Sequence, residues 1–226
     1  MAFVKQYESG ISNGFFIVDR DVIAVDTGAE SDEIAIQRVF RETGVEPSSV
    51  KLIVITHGHV DHFLNLSALK TMTRAPVLCH KLAAPYLIEG RPPDIVARSD
   101  LGQLIIDRQI ETGPPIVGIP KVTPDIIIEG KTCLRPWGVN GYLIPTPGHS
   151  RGCISVVLDS GEAIIGDMFV QVPEIDQPCP AFFTYPGGMD GELIQSLKSL
   201  LEIDIHTFYS GHGGPFSRSV IEDAIT

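Results

Sequence analysis

The 226-residue sequence predicts an α/β domain of layered sheets flanked by helices. Short apolar runs bounded by Gly, Pro, Asn and Ser recur in both halves of the chain, as strands require. Between them lie segments whose apolar residues repeat at helical spacing. The two kinds of segment mix without a strict βαβ rhythm, which argues against a doubly wound parallel sheet.

Taken in order, residues 3–7, 14–18 and 22–25 read as strands. Ser31 is placed to cap a helix carrying Ile34, Ile36, Val39 and Phe40, which Gly44 stops. Residues 51–56 form a continuous apolar run, the mark of a strand buried on both faces. Phe63, Leu64, Leu66, Leu69 and Met72 suit an amphipathic helix ending near Thr73. A short strand follows at 76–79, then a short helix at 81–89. Residues 90–121 are proline-rich around one helix-like stretch, 94–109. We read them as an insertion, because they are too few to build a core of their own. The second half returns to strands at 126–128, 141–145, 154–158 and 163–165, then a loop over 170–188. Asp190 can cap a helix carrying Leu193, Leu197, Leu200 and Leu201. A strand at 206–209 and a helix from Ser217 close the chain, so residues 1–226 are expected to form one domain.

The composition is that of a globular protein, 43% hydrophobic and 20% charged. The net charge is −11 and no window is rich in Lys and Arg, so a nucleic-acid partner is not expected. The N-terminus lacks the basic start and apolar stretch of a secretory signal, and no run is apolar enough to span a bilayer. The expectation is a cytoplasmic protein with no membrane partner. The four cysteines are scattered, which fits reduced thiols.

The chemistry lies in Thr56-His57-Gly58-His59-Val60-Asp61-His62. Each residue alone has a plain structural role; Asp61, for instance, would serve as a helix N-cap. Three imidazoles and a carboxylate packed together without an ion are costly, so the cluster implies metal binding. In an extended turn His57 and His59 point the same way and can share one ion. Asp61 and His62, entering the next helix, can face a neighbouring position. Further ligands are sought where a His or Asp ends a short apolar strand beside glycine. Three residues qualify: His149 in Thr146-Pro147-Gly148-His149, Asp167 after Gly166, and His212 in Ser210-Gly211-His212-Gly213-Gly214. His80 and His206 lack that setting and read as structural. Trp137, Tyr185, Ser150 and Arg151 are candidates to line a substrate pocket, with a core or surface role equally open.

These motifs, with Val25-Asp26-Thr27-Gly28, resemble the metallo-β-lactamase fold superfamily over nearly the whole chain. The resemblance implies a four-layer αββα sandwich with metals at one edge of the two sheets. It implies that His57, His59 and His149 bind a first metal, that Asp61, His62 and His212 bind a second, and that Asp167 bridges them. Asp26 would orient a ligand by hydrogen bonding. The implied activity is a dinuclear metal-dependent hydrolase whose bridging hydroxide cleaves a small ester, thioester or lactone, with Asp61 relaying a proton. The two divalent ions would be zinc, with iron or manganese as alternatives. Aspartate at position 167, where the β-lactamases of the superfamily usually carry cysteine, and the complete Asp61-His62 pair resemble the hydroxyacylglutathione hydrolase, lactonase and tRNA-processing nuclease branches, of which the nucleases fit poorly with the acidic charge. The chain ends soon after His212, so the glutathione-gripping helical domain of the first of these is not expected. A phosphodiesterase and a mononuclear-iron persulfide dioxygenase, using His57, His149 and Asp167, are the alternatives. A small molecule is the expected substrate. The proline-rich insertion leaves a homodimer open.

Overall fold

The computed structural model describes residues 1–30, 33–112, 118–189 and 191–225. The first half holds strands β1 (Phe3–Ser9), β2 (Ser12–Val18), β3 (Val22–Val25), β4 (Val50–Ile55), β5 (Val77–His80), β6 (Val96–Ala97) and β7 (Ile126–Ile128). Its helices are α1 (Glu33–Thr43), α2 (Val60–Phe63), α3 (Leu66–Thr73), α4 (Ala84–Glu89) and α5 (Asp100–Thr112). The second half holds β8 (Thr132–Cys133), β9 (Gly141–Pro145), β10 (Ile154–Leu158), β11 (Glu162–Ile164), β12 (Phe169–Val170), β13 (Cys179–Pro180) and β14 (Phe183–Thr184). It ends with α6 (Glu192–Leu201), β15 (Thr207–Tyr209), β16 (Phe216–Ser217) and α7 (Arg218–Ile225).

Two six-stranded sheets carry the fold, in the orders β1-β2-β3-β4-β5-β7 and β16-β15-β11-β10-β9-β8. They pack face to face through Phe15, Ile17, Leu52 and Val54 of one sheet and Leu143, Ile154, Val156 and Ile164 of the other. The alternate residues of the first sheet, among them Phe16, Ile53 and Ile55, pack against Ile36, Phe40, Phe63 and Leu69 of the helices. The outer face of the second sheet, with Val157, Ala163 and Phe208, packs against Leu193, Leu197, Leu200 and Ile221. The order of layers is therefore helix, sheet, sheet, helix, the αββα sandwich that the sequence resemblance implies. Burial on both faces explains why β2, β3 and β4 read as continuous apolar runs.

The structure refines several expectations. β3, β4, β5 and β7 pair in parallel, so the first half does contain crossover units, joined to an antiparallel β1-β2-β3 meander. Ile34 faces solvent and Ala35 is buried, because the buried stripe of α1 runs through Ile36, Val39 and Phe40. The helix expected from Phe63 to Thr73 is two helices broken between Phe63 and Leu66. The helix of the insertion starts at Asp100, not near 94, because Val96–Ala97 pairs as a strand with Phe183–Thr184 and the Ser99 hydroxyl accepts the Gly102 N–H at 3.1 Å. The expected loop over 170–188 is pinned by that pairing and by β12–β13. The proposed caps Ser31 and Asp190 lie outside the described residues, as do residues 113–117 of the insertion. Cys79 and Cys153 are buried, Cys179 is half-buried and Cys133 exposed; all four are free thiols. Among the described residues no helix is long and apolar enough to cross a membrane.

The inter-sheet core depends on side chains with no accessible surface, of which Leu52 is one. Leu52→Ala is expected to cost about 2–5 kcal/mol, the range for emptying a fully buried leucine site. The urea midpoint should fall with an unchanged slope.

Candidate metal centre

The strand directions bring the candidate residues to one edge. Parallel β3 and β4 both end there, delivering Asp26 and the Thr56–His62 run. β9 and β11 are each antiparallel to β10, and β15 is parallel to β11, so these three also share a direction. Their C-terminal ends deliver His149, Asp167 and His212. The N–H of Ile154, at the start of β10, donates to the Thr56 carbonyl at 2.9 Å and ties the sheets together at this edge.

All seven ligand candidates converge there in two groups, His57, His59, His149 and Asp167, and Asp61, His62, Asp167 and His212. Asp167 belongs to both. Its carboxylate lies 3.6 Å from Nε2 of His57 and of His149, 3.2 Å from His62 Nε2 and 3.3 Å from His212 Nε2. Asp61 Oδ2 lies 3.5 Å from His62 Nε2 and 3.2 Å from His212 Nε2. His149 Nε2 faces His59 Nδ1 at 2.8 Å. The N-cap position of α2 is held by His59, and Asp61 lies in the first turn of the helix, so Asp61 is not the cap that its position suggested.

A second layer fixes the imidazoles. Asp26, in a left-handed turn at φ 55°, accepts from the Thr56 N–H at 2.8 Å and the Thr56 hydroxyl at 2.6 Å. It also faces His62 Nδ1 at 2.8 Å. With the Thr56 hydroxyl donating to Asp26, His57 Nδ1–H is left to donate to Thr56 Oγ1 at 3.0 Å. That tautomer leaves a lone pair on His57 Nε2, a buried atom with no hydrogen-bond partner. His212 Nδ1 bonds the Ile11 carbonyl at 2.8 Å, in the turn between β1 and β2. In His57, His62 and His212 the ring nitrogen facing away from the cluster is engaged, so the inward nitrogen is aimed, whereas His149 Nδ1 is buried without a partner.

Protonation divides the two groups. Burial holds His57 well below the ordinary histidine range and His59 down to about 3, and it lowers His149 too. These three rings are neutral and offer lone pairs. Burial also opposes the charging of His62 and His212, but carboxylates outweigh it. Asp167, Asp61 and Asp26 hold His62 well above its ordinary value, and Asp167 and Asp61 raise His212 to about 10. Burial likewise works against the carboxylates, and the neighbouring His62 and His212 nonetheless depress Asp61 and Asp167. In the metal-free protein, protons on His62 and His212 neutralise the second group as a cation would. The neutral lone pairs of one group, the acidic balance of the other and the buried Nε2 of His57, which has no hydrogen-bond partner, make the donor set fit divalent ions.

Among the other candidates, His80 accepts the Leu82 N–H, and His206 bonds Ser160 and Thr207 away from the cluster. Trp137 packs on the inter-sheet core before β9, at the opposite edge. Sequence reasoning gave no role to Thr56 or to the Ile11 carbonyl. Thr56 lies inside the motif and its position beside the first histidine was the available signal. A backbone carbonyl leaves none.

The αββα sandwich with a His/Asp cluster at one edge of its two sheets defines a metallo-β-lactamase-type fold with a candidate metal centre. The family model for the metallo-beta-lactamase superfamily matches residues 8–212, and the chain belongs to that superfamily. It is 25% identical to the probable metallo-hydrolase YflN of Bacillus subtilis, over 92% of this chain and 82% of that protein. It is 26% identical to a probable metallo-hydrolase of Streptococcus pyogenes, over 91% and 80%. Among solved structures, the BLEG-1 B3 metallo-beta-lactamase superposes with a TM-score of 0.69 at 21% identity, covering 98% of this chain and 97% of that one. TTHA1623, solved in a di-iron-bound form, gives 0.66 at 20%, covering 98% of each. Likeness at this identity concerns the fold.

Asp26→Asn keeps the shape but weakens the acceptor for His62. We expect the folded protein to lose about 10–100-fold in affinity for a divalent ion, measured by competition with a chromogenic chelator. Gly211→Ala should lower metal content as well, because a Cβ there would lie 2.1 Å from Asp167 Oδ1 and 2.4 Å from His62 Cε1.

Proposed function

We propose that the chain is a dinuclear metal-dependent hydrolase of a small ester, thioester or lactone. The observation that carries this reading is the sharing of one carboxylate, Asp167, by two complete donor groups. His57, His59 and His149 would hold one ion, Asp61, His62 and His212 the other, and Asp167 both. The all-nitrogen-and-oxygen donor set suits zinc, iron or manganese, and TTHA1623, a structural neighbour of this fold, was solved in a di-iron-bound form. When bound, two such ions supply hydroxide at neutral pH and polarise a carbonyl oxygen.

The chain's own residues do the rest. Asp26 and Thr56 hold His62 and His57 in one tautomer and orientation, so the donor geometry is set before substrate arrives. Asp61 is the half-exposed carboxylate of the cluster, with 23% of its side chain accessible against 6% for Asp167. Asp61 is therefore the carboxylate placed to take a proton and pass it to the leaving group. Cys153, the cysteine nearest the motif residues, is buried and pushed up to about 12 by burial, so it supplies no thiolate nucleophile. The complete second group favours this reading over the mononuclear-iron alternative, which would leave Asp61, His62 and His212 without a role. The absence of any Lys/Arg-rich window sets phosphodiester cleavage behind acyl hydrolysis.

Asp167→Ala should fold normally and lose at least 1000-fold in hydrolysis of its best thioester or lactone substrate, an order-of-magnitude figure for removing a shared ligand. Chelation should abolish activity, and a divalent ion should restore it in the wild type but not in the variant. Full activity in Asp167→Ala, or two-ion protein active on bis(p-nitrophenyl) phosphate and inert on acyl substrates, would sink the reading.

A further inference from the structure

The two segments flanking the site, the insertion and the loop after β12, pair with each other through β6 and β14. Within this ribbon Thr184 donates through its hydroxyl to the Gly148 carbonyl at 2.7 Å, directly before His149. The following residue, Tyr185, donates its hydroxyl to Glu192 at the start of α6. That helix also abuts the His149 turn, because Gly148 sits so close to Leu193 that a Cβ would approach its Cα to 2.4 Å. Tyr185 and His149 thus share one rigid foundation. Over the Tyr185 ring lies the guanidinium of Arg151, 4.8 Å from the centroid.

Arg151 is exposed and, among the described residues, makes no ion pair. Arg91 shows the contrast: it stacks on Tyr86 at 4.9 Å but is engaged by Glu89. A guanidinium carries five N–H donors, so one lying over a tyrosine ring and near that residue's hydroxyl retains others that match a carboxylate in bidentate fashion. Arg151 follows His149 by two residues, so their Cα atoms are at most about 7 Å apart. An unpaired, preoriented cation at that distance in a chain of net charge −11 has a local use.

We propose that Arg151, braced by Tyr185, is the specificity-determining residue of the site and binds a free carboxylate carried by the substrate a few bonds from the hydrolysed carbonyl. The substrate class is thus an acidic acyl ester, thioester or lactone, an inference that rests on the hydrolase reading above. A carboxylate fits better than a phosphate. One guanidinium with Glu192 a single hydroxyl away suits a monoanion, whereas a dianion calls for a cluster of cations.

The test compares two N-acetylcysteamine thioesters, of glutarate and of glutarate capped as its primary amide, in wild type, Arg151→Gln, Arg151→Lys and Arg91→Gln. Wild type should prefer the free acid by about tenfold or more in kcat/KM, in line with one charge-assisted bidentate contact. Arg151→Gln should abolish the preference through KM, Arg151→Lys should restore part of it, and Arg91→Gln should keep it. Calorimetric titration with glutarate and with its monoamide, on the metal-loaded protein, reads the same discrimination without turnover. If Arg151→Gln keeps the wild-type discrimination in titration, or wild type has none, the inference is overturned. If neither thioester is cleaved while the titration difference depends on Arg151, the hydrolase reading fails and the carboxylate site stands.

Discussion

Asp167 buries a negative charge where the two sheets meet, and an isolated carboxylate in that position would cost several kcal/mol in lost hydration. Four imidazole nitrogens within 3.2–3.6 Å offset the cost, two of them on rings held protonated in the metal-free chain. The compensation requires segments more than 150 residues apart to meet, His57 and His212 among them. The cluster therefore constrains both sheets at once. A cation in each group does the same work as the protons, without asking histidines to remain charged in a buried site. Metal binding and the cohesion of this edge are linked for that reason.

Strand direction decides which residues can take part. Five strands, β3, β4, β9, β11 and β15, end at the same edge, and every ligand candidate follows one of the last four. Asp26, after β3, supports from behind. The backbone must then turn at once, and glycine is what permits the approach. Gly211 comes so near Asp167 and His62 that no side chain fits there. The close contact of Gly148 with α6 similarly seats the His149 turn on a helix, giving a loop residue the positional stability of a packed element.

The region around the mouth obeys a different logic. The insertion and the loop after β12 lack a core of their own, yet they pair as a short ribbon and are pinned to the His149 turn through Thr184. Tyr185 and Arg151 are thereby held in a fixed relation to the ligand candidates. Variation in these segments can change specificity while the donor set remains intact.

The sequence by itself determined a great deal here. The H-x-H-x-D-H run and the three glycine-flanked strand ends identified all seven converging residues, because a ligand cluster demands chemically rare residues at turns. Continuous apolar runs likewise located most strands, since burial on both faces leaves no polar alternation to misread. What lay beyond the sequence depends on contacts between distant segments. The solvent exposure of Ile34, the parallel pairing of the first-half strands and the late start of α5 follow from packing and strand partnership. The tautomer of His57 depends on Thr56 and Asp26, and the orientation of His212 on a carbonyl at Ile11, 201 residues away. Only the tertiary structure decided that Arg151 would lie over Tyr185 with no carboxylate partner among the described residues, because the charge pattern along a chain does not say which neighbours folding will bring together.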